Sequence, residues 1–433
     1  MRDMNSTLRI GKNEDGLSDC EIADALCSSL PDNFTKMKKV LLIPPDATRA
    51  HSGAGKLTNM LFHLLKDACA VDVLPALGTH MPMTAGECAE MFGDIPYSHF
   101  MTHNWRTDVV KIGQAPKEFV RDISDGLVNE PIDFEVNSRL LDPSYDLILS
   151  IGQVVPHEVV GMANYTKNIL VGCGGSNIIN MSHMLGAFYG LERLMGRDHS
   201  PVRRLFDYAE ERFLKKLPIH YVLTVVSAPG GHPAIHGLFI GRERFLFEQA
   251  VALSQKYNVM LTDQPFKKVV VYLEPGEFKS TWLGNKAIYR TRMAISDGGE
   301  LIILAPGVER FGEDAEIDRL IRKYGYTGRE HLVECCRSNE ELIRNLSAAA
   351  HLIHGSPDGR FKVTYCVRHL TAQEVAGVGF GYLPYDQAAA LYDPEILKDG
   401  FNTTAGGDEF FYISNPAVGL WAERKKFSSN RLI

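Results

Sequence analysis

"KKVLLIPPDATRAHSGAGKLTNMLFHLLKDACAVDVLPALGTHMP", residues 38–82, decides the fold class. It opens on a short apolar run, Val40 to Ile43, that reads as a buried strand running through Pro44 and Pro45 into a polar loop. A segment with helical spacing follows, with Leu57, Met60, Leu61 and Leu64 on one side. A second strand then ends in the polar tip Gly78-Thr79-His80. A strand, a helix and a strand in so short a span form the repeating unit of a parallel sheet.

The same alternation continues outward. "YDLILSIGQVVPH" (145–157) reads as a third strand and "KNILVGCGGSN" (167–177) as a fourth. "NIINMSHMLGAFYGLERLM" (177–195) reads as one helix capped by Ser176 or Asn177. "HYVLTVVSAPGGHPAIHGLFIGRERFLFEQAVALSQKY" (220–257) reads as a hairpin and a helix. A new series starts at "KKVVVYLEPG" (267–276), with a helix "STWLGNKAIYRTRMAI" (280–295) and strands "GELIILAP" (299–306) and "FKVTYCV" (361–367). The expected architecture is two α/β domains with largely parallel sheets, divided near 264–267, with the active site in the cleft between them.

Composition narrows the class. The net charge of −7 argues against an electrostatic nucleic-acid partner. No apolar run approaches the ~20 residues that span a bilayer, so no membrane partner is expected. "MRDMNSTLRIGKNEDG" lacks the apolar core of a signal peptide, and the eight cysteines show no C-x-x-C spacing. Reduced thiols in a cytoplasmic protein are the expectation.

Several motifs come close to known sites and fail. "AHSGAGKLT" has the Gly55-Lys56 of a P-loop, but Ala50 stands at the first glycine and Leu57 at the magnesium-binding hydroxyl. "GCGGSN" ends in Asn177 where a Rossmann turn needs glycine, although a Gly-rich turn into a helix still favours a phosphate. "HEVVG" begins like a zincin helix but has Gly161 in place of the second histidine. His232 and His236 lie in a turn-like stretch and read as solvated hairpin residues.

Five blocks remain: "PDATR" with Asp46, Thr48 and Arg49, "GTHMPMT" with His80, "PHEVVG" with His157, "YTK" with Lys167, and "NMSH" with His183. In this order and spacing they resemble the nickel-pincer lactate racemase family, over nearly the whole chain. The resemblance implies a pyridinium mononucleotide with thioamide and thiocarboxylate sulfurs, bound covalently to Lys167. Its nickel would sit in the pincer with His183 as protein ligand. It implies His80 and His157 as the acid/base pair, Arg49 on the substrate carboxylate with Asp46 supporting that site, and Lys286 as a substrate contact from the second domain. Residues 1–265 would then form a cofactor-binding and catalytic domain. Residues 266–433 would form a substrate-closing α/β domain, with the last residues packing back on the first. Proteins that synthesise the cofactor become expected partners. Our own reading adds Gly174 and Gly175 as an approach to the nucleotide's phosphate or ring. The chain departs from the family pattern at Leu283, where glutamine is common, and at "NILVGCGG", where the family has glycine-proline.

The chemistry favours such parts independently. The C2 hydrogen of a 2-hydroxy acid is a very weak acid, because the carbanion would lie beside a carboxylate. Removing hydride instead needs an electron-poor cofactor and a base for the hydroxyl. Two enantiomers call for two bases, and imidazole titrates in the right range. Guanidinium suits the carboxylate, and sulfur with imidazole suits nickel. The helical Lys286, Tyr289, Arg290 and Arg292 beside Leu283 suggest a polar acid such as gluconate, epimerised at C2, with malate or lactate as alternatives. A zinc hydrolase built on His80, His157 and His183, and a non-catalytic cofactor or hydroxy-acid binder, are the rivals from other classes.

Overall fold

The computed structural model describes residues 4–32, 34–227 and 233–429. The chain divides into two compact units, residues 1–185 with 195–258, and residues 186–194 with 259–433.

The first unit is built on a six-stranded sheet in the order Thr7–Ile10, Ala234–Gly241, Ile219–Ser227, Leu147–Gln153, Lys39–Ile43, Ala70–Val73. The last four strands run parallel, and the first two add on antiparallel. Every residue of the 147–153 strand is buried, as expected of a strand covered on both faces. The helix Ala54–Leu65 buries Leu57, Leu61 and Leu65, one side chain per turn, in a core shared with Val40, Leu42, Leu147 and Leu149. The near-P-loop glycine has a packing role here. A Cβ at Gly55 would stand 2.1 Å from the Met91 carbonyl, so only glycine admits that neighbour.

The second unit holds a six-stranded sheet in the order Gly381–Pro384, Lys362–Val367, Ile295–Leu304, Phe266–Tyr272, Glu409–Ile413, Gly400–Thr403. Only the last pair is antiparallel. The mixed α/β class with largely parallel sheets thus follows the reading of residues 38–82.

Three local expectations fail. "NILVG" is one π-helical turn, Asn168–Gly172, not a strand. A run of three buried apolar residues looks alike in either state. The 177–195 helix is two pieces, Ser176–Tyr189 and Leu191–Leu194, broken at Gly190 with φ +103°. The 280–295 helix is likewise Thr281–Gly284 followed by Lys286–Thr291.

Candidate functional site

The first sheet reverses its winding between two neighbouring strands. From 39–43 the chain moves to 70–73 on one side, and from 147–153 to 219–227 on the other. Ligands in such sheets collect beyond the carboxyl ends of the strands at this reversal. Asp46 and Arg49 follow the first of these strands, His157 the second, and His80 follows the neighbouring 70–73 strand.

Asp46 opens the 3₁₀ turn Ala47–Ser52 and accepts at Oδ1 from the Thr48 amide (3.1 Å) and hydroxyl (2.5 Å). Its Oδ2 meets His80 Nδ1 at 2.5 Å. Burial works to raise the Asp46 carboxyl, but the bonds from His80 and Thr48 and the charges of His80 and Arg49 outweigh it and hold it below the ordinary value. An ionised Asp46 accepts from Nδ1–H, which leaves the lone pair of His80 on Nε2. The resemblance has Asp46 support the site where Arg49 takes the substrate carboxylate, and in the structure its two oxygens are engaged by Thr48 and His80. Arg49, in contrast, bonds only the Thr48 carbonyl (3.3 Å), and among the described residues no carboxylate pairs with it. Its guanidinium remains available to an incoming acid.

His157 is buried, and its Nδ1 accepts from the Val159 amide at 3.1 Å, placing the proton of the neutral ring on Nε2. Burial, then the charges of Lys167, Arg49 and His183, hold it well below the ordinary histidine value against the opposing Glu158. Lys167 begins the 168–172 turn. Burial, then Arg49 and Arg203, lower its amine to about 8, opposed by Glu158 and Asp46. A lysine poised there is partly neutral near physiological pH and able to act as a nucleophile. The His183 Nδ1 meets the Ile179 carbonyl at 2.6 Å, so Nδ1–H donates and the lone pair lies on Nε2. Burial, together with Lys167, keeps the His183 ring neutral, the form that binds metal. These mutual charge effects place Arg49, His157, Glu158, Lys167 and His183 in one neighbourhood.

The donors fit the nucleotide that the resemblance implies. They offer a lysine with a depressed amine and one imidazole with a fixed, unprotonated nitrogen. Among the described residues, no group of three His, Cys, Asp or Glu side chains could hold an ion unaided. That disfavours the rival zinc site built on His80, His157 and His183.

Gly174 and Gly175 serve packing. A Cβ on Gly174 would lie 1.8 Å from the Leu170 carbonyl, and one on Gly175 2.3 Å from Glu135 Oε2. The same Glu135 carboxylate accepts from the Asn177 amide (3.0 Å) at the start of the 176–189 helix. An acidic cap therefore occupies the position where a phosphate was expected, and it replaces the Ser176 or Asn177 cap. His236 is buried, bonded to Ser227 (2.7 Å) and stacked on Tyr257, not solvated. His232 lies outside the described residues.

Sequence reasoning missed Asn168, whose amide nitrogen bonds the Ile43 carbonyl (3.1 Å) and Ser150 Oγ (3.0 Å) and so ties the lysine turn to both strand ends. It also passed over Glu158, although "PHEVVG" displays it.

Within the second unit, Lys286 lies 3.6 Å from Glu277. Tyr289 is buried with its hydroxyl 2.8 Å from His351 Nδ1. Arg292 is buried on Glu192 (2.9 Å) and Asp358 (2.7 Å), neither solvated nor open to a ligand. A depression of about 660 Å³ there is lined by Arg193, Arg292, Arg329 and Arg360, of which Arg292 and Arg360 already pair with acids.

Residues 21–192 match the model of the lactate racemase N-terminal domain family. A crystal structure of a Thermotoga maritima protein is similar at TM-score 0.78 and 24% identity, covering 95% of this chain and 99% of that one. The lactate racemase apoprotein of Thermoanaerobacterium thermosaccharolyticum is similar at TM-score 0.65 and 16% identity, covering 98% and 96%. Likeness at such identities speaks for the fold. No curated protein matches. Among the described residues no helix is long and apolar enough to cross a membrane.

Proposed function

We propose, of a chain whose residues 21–192 belong to the lactate racemase N-terminal domain family, that it is an isomerase inverting C2 of a 2-hydroxy acid. One observation carries this reading. Two histidines on separate strand-end loops, His80 and His157, share the strand-end region with Arg49, whose guanidinium has no carboxylate partner among the described residues, with a lysine of depressed amine and a histidine with one ring nitrogen open.

Arg49 would take the substrate carboxylate in two parallel hydrogen bonds. His80, oriented by Asp46, accepts the hydroxyl proton at Nε2 as the C2 hydrogen departs with its electron pair. The planar keto acid then takes the same hydrogen on its other face, and the new alkoxide needs a proton. His157 supplies it and must be imidazolium at that moment. The charges of Lys167 and Arg49 help keep it neutral in the structure. Covalent linkage of Lys167 removes one of these charges and a bound carboxylate offsets the other, so the loaded site lets His157 take up a proton at Nδ1, the ring giving up the Val159 amide as it does and leaving Nε2–H to donate. The turnover ends with His80 protonated and His157 neutral, which is the starting state for the opposite enantiomer.

A nickel pincer nucleotide on Lys167, with His183 on the metal, would supply the electron-poor centre that accepts and returns the hydride. Loading it would require the cofactor-synthesis proteins as partners, and a cytoplasmic setting suits this chemistry.

A polar acid such as gluconate remains the favoured substrate, now resting on Leu283 and Lys286 because Tyr289 and Arg292 are engaged elsewhere. The test incubates protein made alongside the cofactor-synthesis enzymes with gluconate, malate and lactate, followed by chiral analysis. Inversion at C2 is expected, fastest with gluconate. Lactate as the best substrate by kcat/KM overturns the substrate reading. A retained adduct with no inversion of any acid makes the protein a binder and overturns the whole.

A further inference from the structure

Arg203 is completely buried in the helix Pro201–Ala209, and among the described residues its guanidinium bonds no carboxylate. It donates through Nη1 to Thr166 Oγ1 (2.7 Å) and through Nη2 to the carbonyls of Met162 (2.8 Å) and Asn164 (3.2 Å). Its carbon centre lies 4.4 Å from the centroid of Phe247. Among the described residues its Nε has no hydrogen-bond partner. Such a charge is costly to bury, and all its directed bonds go to one five-residue loop. That loop leads directly into Lys167.

The loop needs holding. Asn164 and Tyr165 are consecutive non-glycine residues with φ +66° and +56°. Side chains rarely adopt this conformation, and it persists only where the surroundings over-determine it. The Asn164 carbonyl that Arg203 grips also accepts the Lys167 amide at 3.3 Å. Two further bonds bind the same stretch to the approach of the Arg203 helix, from Ser200 Oγ to the Val160 carbonyl (2.9 Å) and from the Gly196 amide to the Gly161 carbonyl (2.9 Å). Tyr165 is stacked on Phe247 at 5.0 Å, the ring that also packs on Arg203.

We infer that Arg203 is a positioning residue for Lys167, its forked guanidinium holding the left-handed Asn164–Tyr165 turn that aims the lysine into the site. The inference rests on the proposed function only in naming Lys167 as the anchor. A lysine at 203 would keep the charge but not the fork, and so would not hold three oxygens of one loop.

The test uses the full chain with Arg203→Met, Arg203→Lys and Thr166→Val, read by hydrogen exchange without cofactor and by Lys167 adduct mass after production with the cofactor-synthesis enzymes. Arg203→Met should speed exchange across 160–168 by about 10- to 100-fold, the worth of one charge-assisted bond, while the 39–43 and 147–153 strands keep wild-type protection. Adduct at Lys167 should fall at least tenfold, and Arg203→Lys should not restore it. Thr166→Val, which removes one acceptor and leaves the guanidinium in place, should show a smaller change confined to the same loop, and it carries the test if Arg203→Met does not fold. Uniformly faster exchange over the whole sheet, unchanged exchange at 160–168, or full rescue by lysine overturns the inference. If wild-type protein forms no adduct at Lys167, the proposed function fails while the exchange result still decides the role of Arg203.

Discussion

Asp46→Asn is the sharpest perturbation of the proton pathway. In the native site, Asp46 Oδ1 accepts both Thr48 donors, at 3.1 and 2.5 Å, and Oδ2 accepts from His80 Nδ1 at 2.5 Å. An asparagine has one accepting oxygen and one donating nitrogen in place of two acceptors. If the oxygen stays with Thr48, the amide nitrogen faces His80 Nδ1 and drives the imidazole proton to Nε2. His80 then presents a hydrogen where it should present a lone pair. If the amide flips, two Thr48 donors meet an NH₂ group and the turn that carries Arg49 is disturbed. General-base catalysis contributes ~10²–10⁴-fold, and a loss of ~10³ corresponds to about 4 kcal/mol of barrier. The substitution cannot change the equilibrium constant, so kcat/KM must fall by the same factor in both directions. Initial rates from each isomer by chiral chromatography measure this, with intact mass confirming an unchanged adduct. A variant retaining more than about a tenth of wild-type kcat/KM, with full adduct, would refute the orienting role of Asp46.

Further expectations follow from other parts of the molecule. His183→Ala should keep the mass adduct on Lys167 yet lose bound nickel by elemental analysis, because it removes a metal ligand and not the covalent link; loss of both together would refute the separate roles. His351 is buried and held at about 3, below its ordinary 6.5. Below pH 6.5 the unfolded chain therefore binds a proton that the folded chain refuses. Stability from this group should fall as pH drops, by up to ~1.4 kcal/mol per unit, and denaturant melts of His351→Gln should lack that part of the slope. Arg292→Met removes two ion pairs, but Glu192 keeps Arg360 and Asp358 keeps the Arg329 amide, so the cost in denaturant unfolding should be about 1.5–3 kcal/mol, the worth of a hydrogen bond to a charged group, whereas a change below about 0.5 kcal/mol would mean the pairs contribute little.

The sequence made individual strands legible wherever they were long and apolar, as at 39–43 and 147–153, because burial on both faces leaves an uninterrupted signal. The loop residues carrying chemistry were legible as blocks, and the structure brings Asp46 to His80 as an ordered pair. What stayed hidden depended on partners distant in the chain. Glu135 caps a helix forty-two residues later, and nothing near Gly175 announces it. Asn168 looks like a loop residue until two strand ends close on it. Arg203 offered a faint signal, an arginine three residues before the buried Phe206 on an apolar helix face, where a neighbouring Arg204 is exposed. The short helices around Lys286 misled because periodicity could not show that Tyr289 and Arg292 turn to buried partners.

The central claim is that the hydrogen at C2 leaves and returns as hydride while His80 and His157 handle only the hydroxyl proton. Running the reaction with cofactor-loaded protein in heavy water, and reading C2 of the product by mass spectrometry and NMR, tests it most directly. The account predicts a product that keeps mostly its original C2 hydrogen, since a transferred hydride does not exchange with solvent and an imidazole proton does. Extensive solvent deuterium at C2 would show proton abstraction from carbon and contradict the account.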